Sequence, residues 1–202
     1  MTEGLRERKK AETRRALASA ALHLADTRGP DGVTVEAIAE AAGVSPRTFF
    51  NYFASKEDAV VGITPAHSSE LLADLAARPA DEPPLSALRA TALSAAARLE
   101  AGADDWMRRR RLFRRHPTLA GRHAARLAEV ERGLVEEVAR RTGLDPDRHP
   151  YPSLVVAAAL AAIRVAIGTW TELDRPGPLS TQLHEAFDHL TTGLTTLTPA
   201  VR

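Results

Sequence analysis

Apolar residues recur at the spacing of an α-helix along nearly the whole chain. In the first helical stretch Leu17, Ala21 and Leu24 lie on one face, and Gly29 with Pro30 ends the pattern. No stretch alternates between apolar and polar residues over a useful length, so the pattern indicates no sheet. It predicts an all-α fold of about nine helices.

The segment from Thr34 to Lys56 predicts two short helices joined by a tight turn. Thr34 can cap the first helix, which carries apolar residues at helical spacing and ends at Gly43. Ser45 followed by Pro46 opens the second helix, with a capping side chain and then proline at the first helical position. This arrangement is the helix-turn-helix plan, in which the second helix enters the major groove of DNA.

Steps of about 100° per residue divide this second helix into an inner and an outer face. Phe49 and Phe53 are four residues apart and share the inner face. They are predicted to pack against three apolar residues: Leu24, Ile38 and Val44. The outer face is polar and consists of Arg47, Thr48 and Asn51. Phe50 and Tyr52 lie on the two flanks.

The outer face suits the edges of DNA bases. Arg47 can donate two hydrogen bonds to guanine, and Asn51 can pair with adenine. Thr48 or Phe50 can contact a thymine methyl group. Four residues at helix ends and rims are predicted to contact backbone phosphates, which position the protein without reading sequence: Thr34, Ser45, Tyr52 and Lys56. The alternative is a simple corner between two helices with an exposed polar face.

Charge adds one more candidate contact. The net charge is +1, so total charge says nothing about nucleic acid, but basic residues cluster near the N-terminus and between Arg108 and Arg115. Lys9 and Lys10 in the first cluster are predicted to follow the DNA backbone. A charged run of this kind is more often only a solvated helix face.

Composition favours a cytoplasmic protein. The 202 residues include no cysteine, which removes disulfides and suits a reducing compartment. The N-terminal segment is polar and lacks the apolar core of a signal peptide. The longest apolar run, Leu154–Ile167, is interrupted by Arg164, and we take it to be too short to cross a bilayer.

The C-terminal part predicts a second, larger helical domain. The chain divides into a helix-turn-helix domain at residues 1–55 and a ligand-binding and dimerisation domain at residues 56–202. The helix from Leu154 to Trp170 is apolar nearly all round, and the last helix carries an apolar stripe of Leu183, Phe187, Leu190 and Leu194. Two such helices per protomer can form a four-helix bundle across a two-fold axis, and the alternative is an ordinary monomeric core.

Enzyme motifs are missing from the sequence. There is no G-x-S-x-G, no glycine-rich phosphate loop, no H-E-x-x-H and no cysteine nucleophile. His116 and His123 can share a helix face, but neither has a carboxylate at metal-site spacing. We therefore predict a protein that is not an enzyme and binds no metal or resident cofactor.

The stretch VTVEAIAEAAGVSPRTFFNYFASKEDAV, residues 33–60, resembles the DNA-binding segment of the TetR family of repressors. The motif consists of a helix opening with threonine, then AxxAGVS, a TxxxYF run and SKE. The resemblance implies base contacts from Pro46, Arg47, Thr48 and Phe50, and phosphate contacts from Thr34, Tyr52 and Lys56. This chain carries Glu36 and Ala37 where some members place a base-reading residue, so no base contact is expected there.

The segments MRRRRLFRRHPTLAGRHAARL and AAIRVAIGTW resemble the C-terminal domain of mycofactocin-type regulators within that family. The resemblance implies ligands similar to acyl-CoA. An arginine of the 108–115 run, such as Arg110, would then meet CoA phosphates. The predicted pocket is lined by Trp106, Phe113, Ile163, Ile167 and Trp170. Arg164 either anchors an anionic head or has a purely structural role.

Together these features predict a homodimeric repressor that binds a palindromic operator in double-stranded DNA. A small apolar or amphipathic effector would release it by favouring a conformation in which the two helix-turn-helix domains of the dimer, its reading heads, are wrongly spaced for the operator. The alternative is a helical adaptor, or an architectural DNA-binding dimer, without ligand control.

Overall fold

The computed structural model describes residues 2–63, 65–172 and 177–193. In these ranges the chain forms α-helices and one short 3-10 helix, Pro30–Gly32, with no strand. The α-helices are α1 (Thr2–Arg28), α2 (Val35–Ala41), α3 (Pro46–Phe50), α4 (Lys56–Val61), α5 (Pro65–Ala76), α6 (Pro84–Ala101), α7 (Ala103–Arg115), α8 (Pro117–Thr142), α9 (Tyr151–Glu172) and α10 (Leu179–Thr192). The all-α prediction is confirmed.

The described residues contain ten α-helices, one more than the predicted count of about nine. The additional helix arises at Pro65, where the sequence left open a break or a kink. Gly62 ends α4 in the left-handed conformation with φ +77°, and α5 starts as a new helix at Pro65. Leu173, Leu194 and Leu197, which the predicted last two helices include, lie outside the described residues.

The helices group into two compact units. The first consists of Met1–Ser68 and Ala103–Ala128, and the second of Ser69–Gly102 and Glu129–Arg202. The boundary predicted between residues 55 and 56 does not coincide with this division. The reason is that α4 belongs with the N-terminal helices. So do α7 and the first part of α8, although these two are distant from the N-terminal helices in sequence.

The first unit has a continuous apolar core. Leu17 on α1, Ile38 on α2 and Phe49 on α3 are fully buried together in it. Leu112 on α7 and Leu119 on α8 join the same cluster. Burial of a leucine or phenylalanine side chain contributes about 1.5–3 kcal/mol, so these contacts fix α2 and α3 on a rigid base.

In the second unit α9 and α10 pack on each other and on α6. Leu183 and Phe187 of α10 are completely buried. Two residues of the apolar stripe predicted on the last helix are thus covered within the chain itself, and Leu190 of the same stripe is half-buried. Trp170 at the end of α9 is also buried, and its indole Nε1 donates to the carbonyl of Gly177 at 2.8 Å.

One face of α9 is uncovered. Leu154 and Val165 are 67% and 57% exposed, and Tyr151 is also exposed. The helix has 22 residues, more than the apolar run Leu154–Ile167, and by length and composition alone it could cross a membrane. Its opposite face holds Val156 and Ala159 in the core, and a single helix of this kind is weak evidence for a membrane span.

Candidate DNA-binding surface

The reading surface begins at the N-terminus of α2. Thr34 has extended backbone angles, and its Oγ1 accepts a hydrogen bond from the N–H of Ala37 at 3.2 Å. This is the predicted cap, and caps of this kind contribute about 1 kcal/mol. The Thr34 side chain is exposed at the helix end, where a phosphate could reach both its hydroxyl and the neighbouring backbone N–H groups.

Gly43 makes the turn between α2 and α3. Its φ is +68°, and its N–H donates to the carbonyl of Glu40 at 3.0 Å. The N–H of Val44 donates to the carbonyl of Ala39 at 2.9 Å. These two bonds are the Schellman pattern that satisfies the last carbonyls of a helix. The turn therefore has a fixed shape, which sets the angle at which α3 leaves α2.

The start of α3 is also held by a cap. Ser45 Oγ accepts a hydrogen bond from the N–H of Thr48 at 3.1 Å and lies 2.9 Å from Thr48 Oγ1. Pro46 occupies the first helical position, as the sequence predicted. The hydroxyl of Thr48 is thus engaged with Ser45 and its side chain is half-buried. Pro46 and Ser45 remain exposed.

The prediction that Phe49 and Phe53 face inward is confirmed. Phe49 is fully buried and Phe53 nearly so, and their ring centroids lie 5.7 Å apart. Both belong to the cluster that contains Leu24 and Ile38, and Val44 packs against it. This aromatic pair packs α3 against the core.

The outward side of α3 forms an exposed ridge, which we define as Pro46, Arg47, Phe50 and Asn51. Phe50 is 59% exposed although it is a large apolar residue, and its ring contacts Phe49 edge to face at 5.4 Å. Asn51 follows α3 with helical backbone angles, so it continues the same surface. The structure thus brings four of the five predicted base-contacting residues together in the open, while Thr48 lies at the edge.

Three further predicted phosphate contacts belong to the first unit. Tyr52 is half-buried and packs against the core, which leaves part of its surface at the rim. Lys9 and Lys10 are exposed on α1. The base and phosphate contacts themselves stay predictions, because the structure contains the protein alone.

Lys56 has partners that the sequence did not indicate. Its Nζ donates to the carbonyl of Val33 at 2.8 Å and to that of Pro30 at 3.0 Å. Both acceptors lie more than twenty residues earlier in the chain, in the segment that connects α1 to α2. Spacing in the sequence cannot reveal such a bridge, because it depends on the path of the intervening helices.

Charged residues of α7 and α8 hold α4 in place. Arg109 Nε donates to the carbonyl of Val60 at 3.0 Å. Asp58 is buried and lies 3.7 Å from a guanidinium nitrogen of Arg122 and 3.6 Å from one of Arg126. Sequence reasoning missed all of these residues. Arg109 belongs to the basic run, but nothing in that run distinguishes it from its neighbours.

His123 on α8 lies beside this group. Its ring stacks on Phe113 with centroids 4.6 Å apart, and among the described residues its buried Nδ1 has no hydrogen-bond partner. Burial lowers the pKa of His123, and the positive charge of Arg109 lowers it further. Burial likewise lowers the pKa of Arg109, against the opposing effect of Asp105.

Some residues of the predicted ligand pocket belong to the first unit and the others to the second. In the first unit the guanidinium of Arg110 lies over the ring of Trp106 at 5.6 Å, and Phe113 packs between His123 and the core. In the second unit Ile163 and Ile167 are half-buried, and the side chain of Arg164 is exposed. Trp170 is buried with its N–H satisfied.

Potential metal-ligating side chains do not cluster in the described part of the chain. No group of three or more histidine, aspartate or glutamate side chains is placed there to hold an ion. His116 is the single residue between α7 and α8, and His123 lies on α8.

The fold and the exposed ridge define a helix-turn-helix DNA-binding protein. The comparisons with known proteins then give its family. Residues 17–60 match the model of the tetR family of bacterial regulatory proteins, and residues 82–195 match the model of the MftR C-terminal domain. The chain belongs to the TetR family, and it is a DNA-binding transcriptional regulator.

One relative supports this family, and two solved structures share the fold. The chain is similar to the HTH-type transcriptional regulator TcmR of Streptomyces glaucescens, at 36% identity over 93% of this chain and 86% of the relative. It has the fold of the fatty acid degradation regulator FadR of Bacillus halodurans, with a TM-score of 0.60 at 17% identity over 92% of this chain and 97% of that one. It also has the fold of FadR of Bacillus subtilis, solved in complex with stearoyl-CoA, with a TM-score of 0.59 at 17% identity over 89% of this chain and 98% of that one.

Proposed function

We propose that this chain is a cytoplasmic repressor without catalytic activity that binds a palindromic operator as a homodimer and leaves it when a small effector binds. The observation that carries the DNA-binding part is the exposed ridge of α3 on its buried aromatic base. Arg47 offers two N–H donors there, Asn51 offers one donor and one acceptor, and Phe50 offers an apolar contact to a thymine methyl group.

The dimer is supported by the uncovered face of α9. Leu154 and Val165 are eleven residues apart and thus three turns along one stripe of the helix. Between them the same face carries Ala157, Ala158 and Ala161, and the exposed Arg164 lies at its edge, so a second helix can approach the alanines closely. A helix-turn-helix protein needs two reading heads about one DNA turn apart to read a palindrome, and a two-fold dimer supplies them.

The effector class rests on two comparisons. The MftR C-terminal match spans α6 to α10, and FadR of Bacillus subtilis, which shares the fold, was solved with stearoyl-CoA. We therefore propose an amphipathic ligand of the acyl-CoA type. Trp106, Phe113, Ile163, Ile167 and Trp170 would face its acyl chain, and Arg110 or Arg164 its anionic part.

DNA binding is tested with a duplex from the region upstream of the gene, against a scrambled duplex, at two salt concentrations. The proposal expects preferential binding that survives moderate salt, since base contacts are less salt-sensitive than phosphate contacts. Arg47→Ala is expected to reduce the preference. Equal affinity for the two duplexes would instead indicate an architectural protein that does not read sequence.

Dimerisation is tested by sedimentation velocity of the wild type and of Leu154→Glu and Val165→Glu. The proposal expects a dimer for the wild type and monomers for the two variants, because a carboxylate would be buried without a partner at the interface. Leu127→Glu on α8 is the matched control, since Leu127 is another exposed leucine. One mass for all four proteins, whether monomer or dimer, would contradict the assignment of α9.

The effector is tested by adding stearoyl-CoA to the protein–DNA complex. Release is expected, together with a change in tryptophan fluorescence, because the chain's only two tryptophans are the proposed pocket residues. Free CoA and stearate are the controls for the two halves of the ligand. DNA binding that is unaffected by stearoyl-CoA would rule out this ligand class and leave the DNA-binding assignment intact.

A further inference from the structure

We propose that Asp58 is a positioning residue for operator binding. Its carboxylate lies beside Arg122 and Arg126 of α8, and this contact sets the direction of α4 and the place at which the first turn of α4 meets the DNA backbone. The inference rests on the proposed operator binding. It concerns a residue to which the sequence pattern assigned no role.

Two guanidinium groups approach one buried carboxylate in this contact. Asp58 Oδ1 lies 3.7 Å from Arg122 Nη1 and 3.6 Å from Arg126 Nη2. The two arginines are four residues apart on α8, so they are neighbours on one face of that helix. Because a buried carboxylate requires compensating positive charge, this contact determines where Asp58 lies relative to α8.

The backbone of Asp58 couples this carboxylate to both ends of α4. Its N–H donates to Oγ of Ser55, the cap of the helix, at 3.1 Å. Its carbonyl accepts a hydrogen bond at 2.9 Å from the N–H of Gly62, where the helix ends. Between these two residues α4 has only six residues, Lys56–Val61. A displacement of the Asp58 side chain therefore shifts the whole short helix.

The first turn of α4 is the part of this helix that bears on DNA. Lys56 is its first residue and a predicted phosphate contact. Its Nζ uses two of its three N–H donors for the carbonyls of Pro30 and Val33, which leaves the third for a phosphate. Phosphate contacts fix the register of a protein on the duplex, and base reading depends on that register. A displaced α4 should therefore impair binding of the operator more than binding of a random duplex.

Loss of the carboxylate has two consequences of opposite sign. The protein becomes more positive by one charge, which by itself strengthens binding to every duplex. The attraction that holds the first turn of α4 against α8 is also lost. A positioning role thus predicts weaker binding of the operator although the protein has become more positive.

The experiment compares Asp58→Asn with Glu57→Gln, the matched loss of one negative charge at the neighbouring position of α4. Affinity is measured at several salt concentrations for a duplex that the wild type selects from random sequence and for a random duplex, and the ratio of the two affinities is the preference. A variant with both Arg122→Met and Arg126→Met, made in the wild-type and Asp58→Asn backgrounds, completes a mutant cycle. Urea unfolding identifies a temperature at which each variant is folded.

We expect Asp58→Asn to lower the preference about tenfold, within the range of coupling found for residues of one ion-pair network. Its affinity for the selected duplex should fall, whereas Glu57→Gln should bind both duplexes slightly more tightly and keep the preference. Loss of the two arginines should lower the preference in the wild-type background and have little further effect on it in the Asp58→Asn background.

An unchanged preference in Asp58→Asn would overturn the inference, because Asp58 would then act only through its charge or on stability. The inference also fails if loss of the two arginines lowers the preference equally in both backgrounds, since Asp58 would then not act through α8. If Asp58→Asn does not fold, the arginine variant decides alone, and an unchanged preference there would have the same meaning. Failure of the proposed function is recognised separately, since the wild type would then select no duplex from random sequence.

Discussion

The end of α4 offers a sharp test of the contacts that hold it. Gly62 has φ +77°, and a Cβ placed there would lie 2.8 Å from Arg109 Nη2 and 2.9 Å from its Cζ and Nε. The backbone conformation alone costs a non-glycine residue about 1–2 kcal/mol. The guanidinium can move away only by giving up its hydrogen bond to the Val60 carbonyl, which is worth about 1.5–3 kcal/mol for a charged donor. Gly62→Ala should therefore lower the free energy of unfolding by about 2.5–5 kcal/mol.

Gly43→Ala is the matched control. Gly43 has φ +68°, nearly the same conformation, but a Cβ there would meet nothing within 4 Å. Its substitution should cost only the conformational part, about 1–2 kcal/mol. The difference between the two variants thus isolates the contact with Arg109.

The assay is urea unfolding at one protein concentration, because dimerisation makes apparent stability depend on concentration. A double-mutant cycle with Arg109→Ala completes it. In that background Gly62→Ala should cost no more than Gly43→Ala, since the guanidinium is gone. Equal costs for Gly62→Ala and Gly43→Ala in the wild-type background would refute the reasoning, because Arg109 would then not be fixed against α4.

Three other predictions follow from the site. Phe49→Ala should lower the free energy of unfolding by about 3–5 kcal/mol because it empties a fully buried position. Phe50→Ala should change the free energy of unfolding by less than about 0.5 kcal/mol and should weaken operator binding. Similar losses of stability for the two variants in urea unfolding would contradict this. Arg47→Ala should reduce discrimination against a single wrong base by about 1–3 kcal/mol in competition binding, and uniform weakening on all duplexes would count against base reading. Because the pKa of His123 is lowered in the folded protein, this histidine takes up a proton in the unfolded chain at a higher pH than in the folded one. The stabilising contribution of the neutral ring is therefore complete above about pH 6.5 and is lost as the pH falls below that value. His123→Gln should flatten the dependence of stability on pH in that window, and an unchanged profile would show that another group causes it.

The local sequence pattern was sufficient to predict the helix-turn-helix formed by α2 and α3. Thr34 and Ser45 cap helices that start immediately after them, and Gly43 supplies the left-handed residue that the turn requires. Each of these signals acts within a few residues, so it survives whatever the rest of the chain does. The inward direction of Phe49 and Phe53 follows from helical periodicity in the same way.

The sequence predicted where the helical pattern after α4 is interrupted, but it did not predict whether the helix bends or ends there. Pro65 marked a boundary, and the sequence left open whether the helix bends or ends there. Gly62 decides it, because its left-handed conformation closes α4 with the N–H of Gly62 donating to the Asp58 carbonyl at 2.9 Å. A glycine inside a helical pattern does not by itself reveal that conformation.

The amino-acid sequence by itself determined the all-helical fold, the helix-turn-helix and the residues of its outer face, because helix periodicity, capping and turn chemistry are local properties. Only the tertiary structure decided what Lys56, Asp58 and Arg109 do. Their partners lie 23 to 68 residues away, and which charge meets which carbonyl depends on how helices far apart in the chain pack together. The same packing assigned α7 to the unit of the reading head and left one face of α9 open.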